Sequence, residues 1–476
     1  MTTTGENQDM AIHETVHEGC FSISQEKQYI HLPFEIPPDT QRIDIEFEYS
    51  GRISSDPTLT GGNTIDLGIF DERGAEFLTA GFRGWSGSER LQMFISENDA
   101  TPGYLPGPLN PGQWNLLLGL YKIAESGCNY RAVMRAATAP GHAAAACAPA
   151  SVGELPASPP TALHGGWLRG EIHCHTWHSD GELPPHRLLE LARARGLDFL
   201  AVTDHNTTAC QTELARFTNP GLILIRGVES TTFKGHFNVW GIPDWVDFRV
   251  ETPQQLEAAL EFANQRGALT CCNHPKPFGP NWDFRSVSNF TCVEVWNGPW
   301  SGLNYISLNY WLEMLNAGMV KPAVGGSDFH RPGELEGPTE RNLGTPTTWV
   351  YLDGPPNAQN ILAAMRAGRV SISDTPNGPL LELRAGAEYA ILQGGQLAPD
   401  PASLLPARVR CLRGRGCTLQ LLDQQAVLAE WVLASDDELC DIDLSAADHR
   451  YIRAELKDQD GRMRALSNPV YFTMPA

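Results

Sequence analysis

From Trp167 to about Gly368 the chain alternates short apolar runs with amphipathic ones, and a histidine or carboxylate stands at the end of almost every apolar run. Phe199-Leu200-Ala201-Val202 runs into Asp204-His205, and Leu222-Ile223-Leu224-Ile225 ends near Glu229. Ala268-Leu269-Thr270-Cys271-Cys272 ends at His274, and Pro322-Ala323-Val324 leads to Ser327-Asp328-Phe329-His330. Between these runs the patterning predicts helices over Leu188–Arg195 (stopped by Gly196), Pro253–Gln265, Tyr305–Asn316 and Ala358–Gly368. Alternating strand and helix units require a parallel sheet or barrel. Such folds place their chemistry at the C-terminal ends of the strands.

The leading segment is Glu171-Ile172-His173-Cys174-His175-Thr176-Trp177-His178-Ser179-Asp180-Gly181. In an extended strand alternate side chains share a face, so His173 and His175 point into one cavity and Cys174 points away. Imidazole nitrogen and carboxylate oxygen are preferred ligands of first-row divalent metals. The candidate ligand set is therefore His173, His175, Asp180, His205, Glu229, His236, His274, Asp328 and His330. Glu229 directly follows a buried strand, and a carboxylate there needs a cation or strong hydrogen bonds. A lone histidine is more often structural, but nine of the 14 fall between His164 and His330. His236 reads as a loop residue. His178, in the turn, and His186, at a helix start, read as lying outside the set; His13, His17, His31, His142 and His449 read as incidental.

Residues 20–137 carry short alternating strands such as Arg42–Tyr49, separated by turn signals, which predicts a β-sandwich or jelly roll. Ala/Pro/Gly-rich sequence follows, and further strand-like text lies beyond the last helix. The expected organisation is an N-terminal β domain over 1–138, a linker over 139–166, an α/β barrel over 167–378 and a small C-terminal β domain over 379–476. A net charge of −21 opposes nucleic acid or an anionic membrane as a partner. The N-terminus lacks basic and apolar signal regions, and no apolar run has the length of a membrane span. Eleven scattered cysteines fit reduced thiols in a cytoplasmic protein.

His-x-His-Thr-x-x-Ser-Asp-Gly, then Thr-Asp-His, a post-strand Glu, Asn-His-Pro and Ser-Asp-x-His resemble the motifs of the PHP (polymerase and histidinol phosphatase) superfamily over about residues 167–375. The resemblance implies a distorted seven-stranded (β/α) barrel holding two or three Mn, Fe or Zn ions. Asp66–Asp71, Gly81–Gly87, Thr101–Pro108, Gly119–Lys122 and Asn468–Tyr471 look like the carbaryl-hydrolase-like (CehA/McbA) branch. On the same resemblance His173, His175, Glu229 and Asp328 form one metal subsite, Glu229 bridges to a second that includes His274, and His205, His236 and His330 fill the remaining positions. Asp180 stands where many phosphatase relatives carry histidine. Asp204 either orients its neighbours or relays protons, and Lys276 joins it as a candidate catalytic residue.

Two divalent ions sharing a water supply hydroxide at neutral pH, so the implied chemistry is hydrolysis of a small-molecule ester. A phosphoester calls for cations beyond the metals, for which Lys276, Arg226, Lys234 and Arg331 are candidates. A carbamate or carboxylic ester calls for an aromatic pocket, for which Trp282, Phe284, Trp296, Trp300, Tyr305 and Trp311 are candidates. Both electrophiles stay open, as does homo-oligomerisation. The contrasting class is a binding scaffold that retains its metal barrel without turnover.

Overall fold

The computed structural model describes residues 11–56, 58–139, 165–217, 221–242, 244–277, 280–333, 341–398, 403–445 and 449–472. Residues 140–164, nearly all of the expected linker, lie outside this set, as do His142 and His164.

The N-terminal region is two antiparallel four-stranded sheets. One orders its strands Ala11–Phe21, Cys128–Thr138, Thr40–Tyr49 and Gln92–Ser96; the other Tyr29–Ile36, Gly112–Lys122, Thr64–Phe70 and Phe82–Gly87. Period-two patterning produces this directly. Ile43, Ile45 and Phe47 turn inward to meet Ile65, Leu67, Leu116 and Leu118 in one core. The unbroken run Leu116-Leu117-Leu118 departs from alternation because its strand is covered on both faces. Leu116 and Leu118 face the sandwich core, and Leu117 packs with Phe248 of the central region.

The central region is α/β, rich in strands and poor in helices. Seven strands lie side by side in the order Ala323–Gly326, Cys292–Asn297, Leu269–Cys272, Gly235–Trp240, Ile223–Thr232, Phe199–Val202 and Trp167–Glu171. They form a curled half-barrel. Its two ends approach just beyond the strands, where Asp328 N donates to His173 O at 2.8 Å and His175 N to Phe329 O at 2.9 Å. Helices Pro185–Ala194, Pro253–Gln265, Asn304–Asn316 and Ala358–Arg366 occupy the expected places within a few residues. In the second of them, Leu256, Ala259, Leu260 and Ala263 form the buried stripe, and Thr252 caps the start by accepting from Gln255 N.

The parallel expectation fails at Thr347–Tyr351, which runs antiparallel to both Trp167–Glu171 and Val370–Ser373, and at one place among the seven strands. Ile223–Thr232 and Gly235–Trp240 form a hairpin, and the second strand runs antiparallel to both neighbours. His236 therefore lies on a strand, not in a loop. The tight turn needs Gly235, which has φ of +132° and a position where a Cβ would lie 2.8 Å from the Trp282 ring.

The sheet does not stop at Trp167–Glu171. It continues through Thr347–Tyr351, Val370–Ser373, Met463–Ser467, Tyr451–Lys457, Thr418–Leu422 and Val427–Val432, so the C-terminal strands extend the central sheet. A further sheet of Ile391–Leu392, Leu380–Ala385, Leu404–Leu412 and Asp437–Ser445 packs on it. Buried Asn468 ties the two regions together: its side chain accepts from Ala323 N at 2.7 Å and donates to Ala323 O at 2.8 Å and Val370 O at 3.0 Å.

The sandwich docks on the half-barrel through a buried aromatic cluster. Phe82 stacks on Trp245 at 4.4 Å, and Trp85 meets Phe248 edge-on at 4.6 Å. Arg249, paired with Asp247 at 2.7 Å, donates to Ala75 O and Glu76 O at 2.6 and 2.8 Å, and Asp247 accepts from Leu78 N. At the rim Thr207 Oγ1 donates to Gly103 O, while Gly103 N donates to His178 Nδ1 at 3.1 Å. Among the described residues no helix is long and apolar enough to cross a membrane.

Candidate metal centre

Alternation at the end of Trp167–Glu171 divides the leading motif as the sequence predicts. His173 and His175 turn together toward Glu229 and Asp328, whereas Cys174 turns to the core and donates to Ala201 O at 3.5 Å. Glu229 lies at the centre of what they face. Its Oε1 is 3.3 Å from His173 Nε2, 3.2 Å from His236 Nδ1 and 3.5 Å from His274 Nε2; its Oε2 is 2.9 Å from His205 Nδ1 and 3.5 Å from His175 Nε2. Asp328 Oδ1 stands 3.3 Å from His173 Nε2 and 3.1 Å from His175 Nε2. Asp180 Oδ1 stands 3.5 Å from His205 Nε2 and 3.4 Å from His330 Nε2.

The structure thus brings all nine candidate ligands around one space. Eight of them fall into three overlapping groups, each able to offer ligand atoms mutually within 4.8 Å, while His274 joins only through its 3.5 Å approach to Glu229. The groups are His173, His175, Glu229 and Asp328; His175, Asp180, His205 and His330; and His205, Glu229 and His236. The donor chemistry fits divalent ions. So does the hydrogen bonding: His173 Nε2, His175 Nδ1, Glu229 Oε2 and His236 Nε2 are buried and make no hydrogen bond. Four such atoms buried within one cluster would be a large cost without a cation.

The electrostatics agree. Burial opposes ionisation of Glu229, but His173, His205 and His236 outweigh it and hold its carboxyl well below the usual range. Burial opposes charge on His173 too, yet Glu294, Glu229 and Asp328 hold its pKa well above the ordinary value. Burial, with His330 and His205 nearby, lowers His175 to about 4, leaving a neutral imidazole suited to ligation.

Several supporting residues escape a motif reading. Glu294 pairs with His173 Nδ1 at 2.8 Å, which leaves Nε2 to face Glu229 and Asp328, and it also accepts from His274 N at 3.0 Å. Glu171 accepts from the backbone of His173, Ser327 and Gly344 at 2.8, 3.0 and 2.7 Å, binding the first and last strand ends together. Asn273 donates to Glu229 Oε1 at 2.8 Å, and Arg341 to Asp328 O at 2.9 Å. The sequence signal was present for Glu294, the middle residue of an apolar strand, where an unpaired carboxylate is costly. His274 and Asp328 have φ of +26° and +53°, and the positive φ turns the chain at the two strand ends where these side chains reach the cluster.

Asp204 and Lys276 do not line the cavity. Asp204 is buried and accepts from Thr176 N, Thr176 Oγ1 and Ser179 Oγ at 2.7, 2.7 and 2.8 Å, so it fixes the turn that presents Asp180. Lys276 is buried, donating to Asn297 O and Asn304 Oδ1 at 3.0 Å each, and burial lowers its pKa to about 8. Lys234 donates outward to Glu251 O, and Arg331 is exposed. The cation that does line the cavity is Arg341. Trp282, Phe284, Trp296 and Trp311 belong to the core, with Trp300 packed against it, and Tyr305 is exposed. The aromatic wall is real but comes from elsewhere: Tyr29, Trp85 and Tyr121 of the sandwich and Phe233 of the hairpin turn. These enclose a cavity of about 520 Å³ that includes Asp180, His205, His236, His274, Asp328 and His330.

No family model matches the chain. Its sequence is 43% identical over 68 residues to a 5'-3' exoribonuclease of Haemophilus influenzae, covering 14% of this chain and 24% of that protein. It is 29% identical over 126 residues to a 3',5'-nucleoside bisphosphate phosphatase of Chromobacterium violaceum, covering 22% and 44%. The chain thus spans less than half the length of these curated relatives. A two-domain protein of Bacteroides vulgatus, described as containing a PHP-like metal-dependent phosphoesterase, aligns over 67% of this chain and 98% of its own, at 15% identity and a TM-score of 0.38. The clusters of His, Glu and Asp fit a metal hydrolase, and the curated proteins to which part of this chain is similar include an exoribonuclease and a nucleoside bisphosphate phosphatase.

Proposed function

We propose that this chain is a metal-dependent hydrolase of small-molecule esters, built on the PHP plan and holding two or three Mn, Fe or Zn ions. One observation carries the reading: buried Glu229 has five imidazoles within 3.5 Å of its two oxygens, as a carboxylate shared between cations would. His173, His175 and Asp328 would hold one ion with Glu229, and His205, His236 and His274 a second. Asp180 with His330 would complete a third position. Divalent cations there lower the pKa of water and stabilise the negative charge that develops on the reacting ester. Glu294 and Glu171 keep the ligands aimed inward, Asp204 holds the turn that carries Asp180, and Arg341 anchors Asp328. The sandwich wall excludes bulk water.

The phosphoester reading is supported by the two curated relatives. A carbamate or carboxylic ester, as in the carbaryl-hydrolase-like branch, is supported by the aromatic wall and by the engagement of Arg341 with Asp328. A side-by-side assay of p-nitrophenyl phosphate, its bis-ester and 1-naphthyl methylcarbamate, with each metal added in turn, separates the two. His173→Ala or Asp328→Ala is expected to abolish turnover while the sandwich stays folded; near-normal activity in either would overturn the ligand assignment. Bound metal with no turnover of any ester would favour a binding scaffold.

A further inference from the structure

The cavity wall has two dissimilar parts. One is the histidine and carboxylate cluster. The other comes from the sandwich and the hairpin turn: Tyr29, Asp66, Trp85 and Tyr121 with Phe233, with Asp66 near enough to feel the charges of His205 and Asp180. Phe233 stacks on Tyr29 at 4.7 Å and lies 6.3 Å from Tyr121, so the rings form a continuous aromatic surface. Asp66 projects from Thr64–Phe70 into this setting. It can sit there because its neighbour across the sheet is Gly119, where a Cβ would lie 3.3 Å from Asp66 Cβ and 3.0 Å from the Trp85 ring.

Asp66 makes no ion pair and no hydrogen bond among the described residues. The cation nearest in charge influence, Lys27, makes no ion pair with it and does not line the cavity: its Nζ lies 3.7 Å from the Tyr121 ring centre and 5.4 Å from that of Phe233, and donates to Tyr121 O at 2.6 Å. Burial accordingly pushes the Asp66 carboxyl up to about 7. An acid kept in a cavity without a partner is a standing cost unless a ligand supplies one. The charge of the whole wall points the same way. The sandwich contributes Asp56, Asp66 and Glu89 to the lining and no lysine or arginine, while Arg341, beside the histidine cluster, is engaged with Asp328. Ring faces and a carboxylate attract the same kind of group, a cation with apolar substituents.

We propose that Asp66, with Tyr29, Tyr121 and Phe233, forms a specificity subsite for an organic ammonium group that the substrate carries beside its scissile ester, and that this subsite rejects anionic groups. The location of the scissile bond rests on the hydrolase reading above; the recognition of the ammonium group does not. The catalytic test compares 4-(aminomethyl)phenyl phosphate with 4-carboxyphenyl phosphate, and the matching methylcarbamates, on the metal-loaded full chain. We expect kcat/KM to favour the aminomethyl ester by at least about tenfold, the ratio to fall toward one in Asp66→Asn, and the preference to invert in Asp66→Lys. The binding test is calorimetry with benzyltrimethylammonium, which cannot ligate a metal, against 4-methylbenzoate. Binding of the ammonium that is lost in Asp66→Asn supports the subsite even if none of these esters is cleaved. Equal ammonium binding by wild type and Asp66→Asn, no ammonium binding at all, or tighter benzoate binding would overturn it.

Discussion

At the scale of single residues, this chain keeps carboxylates where burial makes them costly and uses different means to hold each. Glu229 is surrounded by imidazoles, Glu171 by backbone N–H groups, and Glu294 by an imidazole and an amide. Asp66 has none of these, and its stability signature should show it. Its carboxyl is raised to about 7 in the folded chain, against about 3.9 in an unfolded one. Between these pH values the folded chain holds a proton that the unfolded chain has lost, so stability falls as pH rises through the window. Asp66→Asn lacks this loss. In chelator-treated protein the variant should match wild type near pH 4 and exceed it above pH 7 by on the order of 2 kcal/mol, the full linkage value being discounted because one side of the carboxylate faces the cavity. Urea melts across that range would show it; a constant difference would place the Asp66 carboxyl in the ordinary range. The residues of the cluster were legible as candidates because their types are rare in apolar strands. Asp66 was not, since an Asp in an alternating strand such as Thr64–Phe70 reads as an outward polar residue.

At the scale of elements, the cluster depends on how closely strand ends can approach. Gly326 ends Ala323–Gly326, and a Cβ there would lie 2.4 Å from His173 Cβ and 2.8 Å from Glu294 Oε1. Gly326→Ala must push His173 away from Glu294. We expect it to weaken metal binding by about 10- to 100-fold, the usual cost of disturbing a residue that orients a ligand, and to destabilise the fold by about 1–3 kcal/mol. Competition with a chelating dye and thermal unfolding would check both, and unchanged metal affinity would show that the strand ends can separate freely. The helices were legible because each has one dominant buried face, and most strands because, buried throughout, they read as short unbroken apolar runs. Gly235–Trp240 was not, because His236, Asn238 and the flanking Lys234 and Gly235 give the text of a loop. That strand earns its place through antiparallel pairing with Leu269–Cys272, a contact remote in sequence.

For the whole molecule, the cavity exists only because the sandwich is docked. The aromatic cluster around Phe248 and the Arg249 bonds to Ala75 O and Glu76 O hold that wall in place. Arg249→Ala leaves Asp247 buried without its partner, a loss of about 3–5 kcal/mol in comparable pairs. The expected result is a raised KM with metal content unchanged, and a first unfolding step in urea that releases the sandwich before the central sheet. A single transition with wild-type KM would mean that the wall is held without Arg249. None of this docking was readable in advance, since a β-sandwich and an α/β unit are each self-consistent in sequence. The one hint was the unbroken Leu116-Leu117-Leu118 run, whose second covered face belongs to another part of the chain.

The tie made by Asn468 also sets an order of events during synthesis. Every candidate ligand has been made once the ribosome passes His330, yet the strand that delivers Asp328 is fastened by a side chain nearly 140 residues later. The edge of Val370–Ser373 likewise waits for Met463–Ser467. A nascent chain therefore carries every candidate ligand well before the scaffold that spaces them is complete. Contacts so distant along the chain form late. Until Asn468 is made, the strand that delivers Asp328 lacks this fastening, so the spacing of the cluster is among the last features of the fold to be secured.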